Sequence, residues 1–161
     1  MLSYHQSLEW LEKSSWAVGV RQSLWLYPAL EIVHILGIVM LVGAAFLFDL
    51  RLLGFSRGLP LRGLSRYLLP WSQRGLILII PSGLLLFITN AQALGTDPVF
   101  WTKIGLIFVA AFNVFWFHRF IYGPFTRWGA TGELPGAARL CACISIVVWV
   151  AVVACGRLLA Y

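Results

Sequence analysis

The stretch that decides the fold is Trp25–Arg51, WLYPALEIVHILGIVMLVGAAFLFDLR. An α-helix rises about 1.5 Å per residue, so about 20 consecutive apolar residues cross the hydrocarbon core of a bilayer. This run is long enough to do so, and its first half carries Glu31 and His34. An ionisable group inside a span costs about 2.5–3.5 kcal/mol on insertion scales, which makes each one a functional suspect.

Working outward, the rest of the chain agrees with a membrane location. Of 161 residues, 60% are hydrophobic and 11% are charged. A soluble domain carries about 25% charged residues. Mean hydropathy is +0.85. Three further apolar segments follow the first, so the expected spans are about residues 24–48, 75–94, 100–121 and 140–160. Short connections predict an all-α, up-down bundle of four antiparallel helices forming a single transmembrane domain over residues 1–161. Ser3 to Ser15 interleaves Leu8, Trp10 and Leu11 with charges and reads either as a short interfacial amphipathic helix or as a polar tail. The start, MLSYHQSLEWLEKSSW, lacks the basic and apolar regions of a cleavable signal peptide.

The formal net charge is +6, and the cations sit mostly in connections. The first connection carries Arg51, Arg57, Arg62, Arg66 and Arg74, and the third carries Arg119, Arg127 and Arg139. The second, NAQALGTDPVF, has none. By the positive-inside rule the first and third connections face the cytoplasm, so in a bacterial inner membrane both termini are periplasmic. This charge pattern fits lipid head groups and topology, and offers nothing to nucleic acid. Cys141, Cys143 and Cys155 share the last span, which excludes a secreted disulfide framework.

The intramembrane polar groups set the functional question. From Trp25, Glu31 lies about 9 Å and His34 about 14 Å into the first span. Arg157 and Lys103 lie at similar shallow depths on two other spans, so a structural ion pair of Glu31 with Arg157, or second with Lys103, is expected. His34 is left without an obvious partner. Asp49 lies five turns beyond Glu31 on the same face, about 27 Å away, too far for a shared acid–base site. Asn113 and Ser82 are expected in the polar interior. Pro81 is expected to kink the second span.

Two histidines on different helices, His34 and His118, are the candidate iron ligands of a haem b. Their depths differ by about 13 Å, so one haem held by His34 alone, or by His118 alone, stands beside the two-ligand version. A hydrogen-bonded interior histidine and another metal are the competing readings. A copper site lacks soft ligands in chelating positions: Cys141 and Cys143 point to different faces, and Met1 and Met40 make no cluster. No Ser-His-Asp set, phosphate loop or paired carboxylate site is present.

The motifs YPALEIVHILGIVMLVGAAFLFDLRLLG, RYLLPWSQRG, DPVFWTKIGLIFVAAFNVFWFH and SIVVWVAVVACGRLLAY resemble an uncharacterised family of bacterial four-helix inner-membrane proteins, over essentially the whole chain. The first span is also distantly similar to CopD-type copper-resistance proteins and to HemJ-type protoporphyrinogen oxidases. The latter resemblance implies haem b on helix histidines, carried here by His34 with Gly43 and Arg51 beyond it. The LPRL motif of that group is replaced by FDLRLLG. Three readings remain open: a small haem b protein passing electrons, with a quinone as partner; a non-catalytic subunit of a larger complex or homo-oligomer; and a copper or proton transport element.

Overall fold

The computed structural model describes residues 2–55, 58–122 and 135–159. Arg57, Arg127 and the end of the last expected span lie outside them. The described residues are helical throughout, with no strand, and four helices are long and apolar enough to cross a membrane. They are α3 (Leu26–Leu53), α4 (Leu61–Thr89), α6 (Pro98–Trp116, continued by a π-helical segment Phe117–Tyr122) and α7 (Gly136–Leu158). Shorter helices are α1 (Leu2–Glu12), α2 (Ser15–Gln22) and α5 (Ala91–Thr96).

Local chemistry sets the ends. α3 stops at Gly54, whose φ of 106° is left-handed. Its N–H bonds Arg51 O and that of Phe55 bonds Leu50 O, a paired closure that a side-chain-free residue permits. Asp97 caps α6 by accepting from Val99 N at 2.7 Å, with Pro98 at the first helical position. Ser14 caps α2.

The second span differs most from expectation. α4 begins at Leu61, fourteen residues before Gly75, so Arg62, Arg66 and Arg74 ride on a helix and the first connection is short. The helix runs on through both Pro70 and Pro81. The second connection is itself mostly helical, as α5. The N-terminal segment forms α1, which docks on α5: Leu8 is buried, and Tyr4 Oη donates to Gly95 O at 2.9 Å. Trp101 Nε1 donates to the same carbonyl. Trp10, Trp16 and Trp25 are exposed around this end. Outside the spans, Lys13 beside Glu9 holds that carboxyl below its ordinary range.

The spans pack in the order α4, α3, α7, α6. α3 and α4 run antiparallel and touch backbone to backbone at Gly37 and Gly75. A Cβ on Gly75 would lie 2.7 Å from Gly37 O and 2.8 Å from Leu41 N. Small residues permit this approach where lipid supplies no hydrophobic drive between helices. Lys103 against Gly156 and Asn113 against Cys141 register α6 antiparallel to α7. The up-down bundle has one asymmetry. α4 and α6, consecutive spans, make only marginal contact and leave a gap in the ring. Large apolar side chains including Ile35, Val39, Ile77, Phe108, Val147 and Val150 are exposed, as a lipid-facing surface requires.

Candidate functional site

Polar side chains gather at two depths. In the half of the bundle nearer α1, His34 Nδ1 lies 2.9 Å from Ser82 Oγ. Ser82 is 2% exposed, and its hydroxyl donates to Leu78 O at 2.5 Å, with Ile79 O at 3.3 Å. A hydroxyl has one proton. With that proton on the helix carbonyls, Ser82 Oγ accepts from His34, so the imidazole carries its proton on Nδ1 and a lone pair on Nε2. Gly83 makes room for the ring: a Cβ there would lie 2.9 Å from His34 Cε1. The partner that His34 lacked at the sequence level is thus Ser82, one residue past Pro81. Lys103 Nζ folds against Gly156, 3.3 Å from where a Cβ would stand.

Glu31 is exposed on α3 and off the buried face formed by Gly37, Ala44, Asp49 and Leu52. Ion pairs at the α1–α2 end are Lys13–Glu9 and Arg21–Glu12.

The second polar group lies toward the arginine-rich end and encloses a cavity of about 90 Å³. All four spans line it: Ala45, Phe48 and Asp49 from α3, Leu68, Leu69 and Ser72 from α4, Asn113 and His118 from α6 and its π-helical continuation, and Ser145 from α7. Asp49 is 6% exposed. Ser145 lies beside its carboxyl group, and Oδ2 is buried with no hydrogen-bond partner among the described residues. Asn113 Nδ2 donates to Cys141 O at 3.0 Å, which uses one of its two N–H donors and fixes the amide's orientation, with the oxygen as an acceptor. The His118 ring packs edge-on against Phe117 and Tyr122, with centroids 5.5 Å away in both cases. Sequence reasoning put Asp49 on the interior-facing stripe of the first span, but weighed it as a site only together with Glu31, from which it is too distant.

The two histidines therefore belong to different groups, His34 on the α3–α4 seam and His118 at the cavity. Among the described residues, no three His, Cys, Asp or Glu side chains come together as a metal-binding group. Pockets that enclose a drug-sized ligand measure about 300–1,000 Å³. The cavity at Asp49 is well below that range and far below a porphyrin.

Four long apolar helices around a small interior cavity define a multi-pass, all-α integral membrane protein. Within that class, the chain belongs to DUF6644, a family of unknown function whose model matches residues 8–161. No curated protein and no solved structure matches it. The distant resemblances to the CopD and HemJ types gain no support from these comparisons.

Proposed function

We propose that this protein binds a small, largely apolar molecule bearing a hydrogen-bond donor, within the membrane, at Asp49. The observation that carries this reading is the buried, unpartnered Oδ2 of Asp49 beside a cavity. A buried polar atom without a partner costs about 1–3 kcal/mol, and more when charged. Chains retain such an atom where a ligand satisfies it. The walls are mainly apolar, so the ligand's body is apolar. The Asn113 oxygen accepts, and a buried carboxyl accepts when ionised and donates when protonated, so the polar group is one that can do both, a hydroxyl. The cavity volume suits one ring. We place the arginine-rich end, and hence this cavity, on the cytoplasmic side of a bacterial inner membrane, by the positive-inside rule.

The test is equilibrium binding of phenol against its methyl ether, anisole, to the detergent-purified protein. Wild type should prefer phenol by about tenfold, the value of one hydrogen bond to a charged or polar acceptor in a dry site. Asp49→Leu should abolish the preference. Equal binding of the two ligands by wild type refutes the reading.

A second reading rests on His34. Its Nδ1–H is held by Ser82, which leaves Nε2 as the free donor atom, the arrangement that an iron-ligating histidine needs. His34 would then hold a haem b, which supplies one-electron chemistry. In this reading Ser82 orients the ring and Gly83 leaves room for it against α4. A reduced-minus-oxidised spectrum of protein purified from haem-sufficient cells tests it. No haem band in wild type, or a band unchanged in His34→Ala, removes it.

A further inference from the structure

We infer that the cavity is filled from the bilayer, through a window between α4 and α6, and that its ligand is a membrane-resident hydroquinone-class amphiphile whose tail stays in the lipid. This rests on the reading of Asp49 as the head-group site and names the ligand that the site takes.

Three observations converge. First, α4 and α6 are joined at their two ends and part between them. Near α5, Phe87 stacks on Phe100 with centroids 5.2 Å apart. Near the arginine-rich end, Tyr122 Oη lies 2.5 Å from Ser65 Oγ. Ser65 gives its own proton to Arg62 O, so Tyr122 is the donor. Ser65 and Phe87 are about 33 Å apart along α4 at 1.5 Å per residue, so most of a bilayer's depth lies between the two clasps. Second, the cavity lies in this gap, because both helices line it. Third, Leu69 of α4 and Val114 of α6 line the cavity while being 44% and 42% exposed. A residue that faces both cavity and surroundings marks a sill. Leu69 lies between Arg66 and Arg74, so the sill stands at the boundary between hydrocarbon and lipid head groups.

The chemistry of the occupant follows. A molecule reaching the cavity by this route is dissolved in lipid and carries a hydrocarbon portion. Its head must present a donor to Asp49 Oδ2. A flat ring matches walls made by Phe48, Leu68 and Phe117. A dihydroxylated ring on an alkyl chain meets all three demands, and a second hydroxyl finds the Asn113 oxygen or the His118 ring. The step is binding alone, with no change in oxidation state.

The experiment uses decyl hydroquinone, with phenol as the tail-free probe, on the full chain in phosphatidylcholine nanodiscs. The window is plugged with the double variant Leu69→Trp/Val114→Trp, at exposed positions that a larger side chain does not overpack. The plug should weaken decyl hydroquinone at least tenfold more than it weakens phenol. A decyl hydroquinone carrying a photoreactive group at its tail end should label wild type on α4 and α6 around Leu69 and Val114. Unchanged decyl hydroquinone binding in the plugged variant, or labelling on helix faces away from the gap, overturns the window while Asp49-dependent phenol binding still stands. Phenol binding that ignores Asp49→Leu overturns the site itself. A dimer of wild type that the plug dissolves makes a second copy the occupant, and likewise overturns the inference.

Discussion

The contact of Gly37 with Gly75 makes a sharp prediction about packing. In Gly75→Ala the new methyl would stand 2.7 Å from Gly37 O and 2.8 Å from Leu41 N, both backbone atoms that no rotamer change can move aside. Restoring an ordinary contact near 3.4 Å requires α3 and α4 to separate by about 0.7 Å. Overpacking of this kind costs about 1–3 kcal/mol. Alanine returns up to about 1 kcal/mol through helix propensity, so the net loss is about 1–2 kcal/mol. Gly43→Ala is the internal control. It lies on the same helix α3 with nothing within 4 Å of its added Cβ, and should be neutral or stabilising by up to about 1 kcal/mol. The two alanines should therefore differ by about 2 kcal/mol in reversible unfolding, measured by steric trapping in bicelles. Equal stabilities within about 0.5 kcal/mol would show that the helices do not approach through these glycines, and would refute the seam as described.

Three further outcomes follow from the same geometry. Ser82→Ala removes the acceptor of His34 Nδ1, so ¹⁵N NMR of the ring should show a mixture of tautomers where wild type shows one, with a stability loss of about 0.6 kcal/mol, typical of interhelical hydrogen bonds in lipid; a single unchanged tautomer would sink the assignment. Asp49→Leu removes a buried orphan acceptor and lets Ser145 bond back to Cys141 O, so stability should rise by about 1 kcal/mol even as ligand discrimination disappears; a loss greater than about 1 kcal/mol means that Oδ2 is satisfied by the fold. Gly95→Leu drives a side chain into Leu8 and Tyr4, so α1 should detach, and tryptic cleavage after Lys13 should speed up at least tenfold while the four spans stay intact.

The spans were legible because apolar runs of bilayer length have few alternatives. Their boundaries and partners were less so. Leu61–Gly75 contains Pro70 and three arginines, which read as a connection. A helix leaving the hydrocarbon tolerates both, and its extension past Gly75 toward the arginine-rich end could not be inferred from hydropathy. Ser82 was expected inside, but its pairing with His34 depends on the α3–α4 register, which Gly37 and Gly75 set through space. Glu31 was assigned a partner from depth alone. Depth fixes position along the membrane normal and leaves rotation open, and rotation turned Glu31 outward. Asp49 shows the reverse error: its depth told nothing, while its rotation placed it at the cavity. The gap between α4 and α6 has no sequence signal, since short connections normally make neighbours of consecutive helices.

The π-helical segment ties the cavity to its window. Phe117 and Tyr122 stack with centroids 5.9 Å apart although they are five residues apart in sequence. In an α-helix such residues point about 140° apart and do not touch. A π-turn, closed by bonds from i to i+5, brings them over one another. This one extra residue lets Phe117 seal the core beside Phe48, keeps His118 on the cavity, and carries Tyr122 round to Ser65, three tasks that an α-helical continuation cannot combine. Deleting the exposed Arg119 should restore α-geometry and swing Tyr122 off α4. A double-mutant cycle reads this directly. Ser65→Ala should lower stability by about 0.5–1.5 kcal/mol in wild type, the net value of one hydrogen bond, and by nothing in the Arg119 deletion. If Ser65→Ala has the same effect in both backgrounds, Tyr122 reaches Ser65 without the π-turn, and the extra residue has no part in closing the inner end of the window.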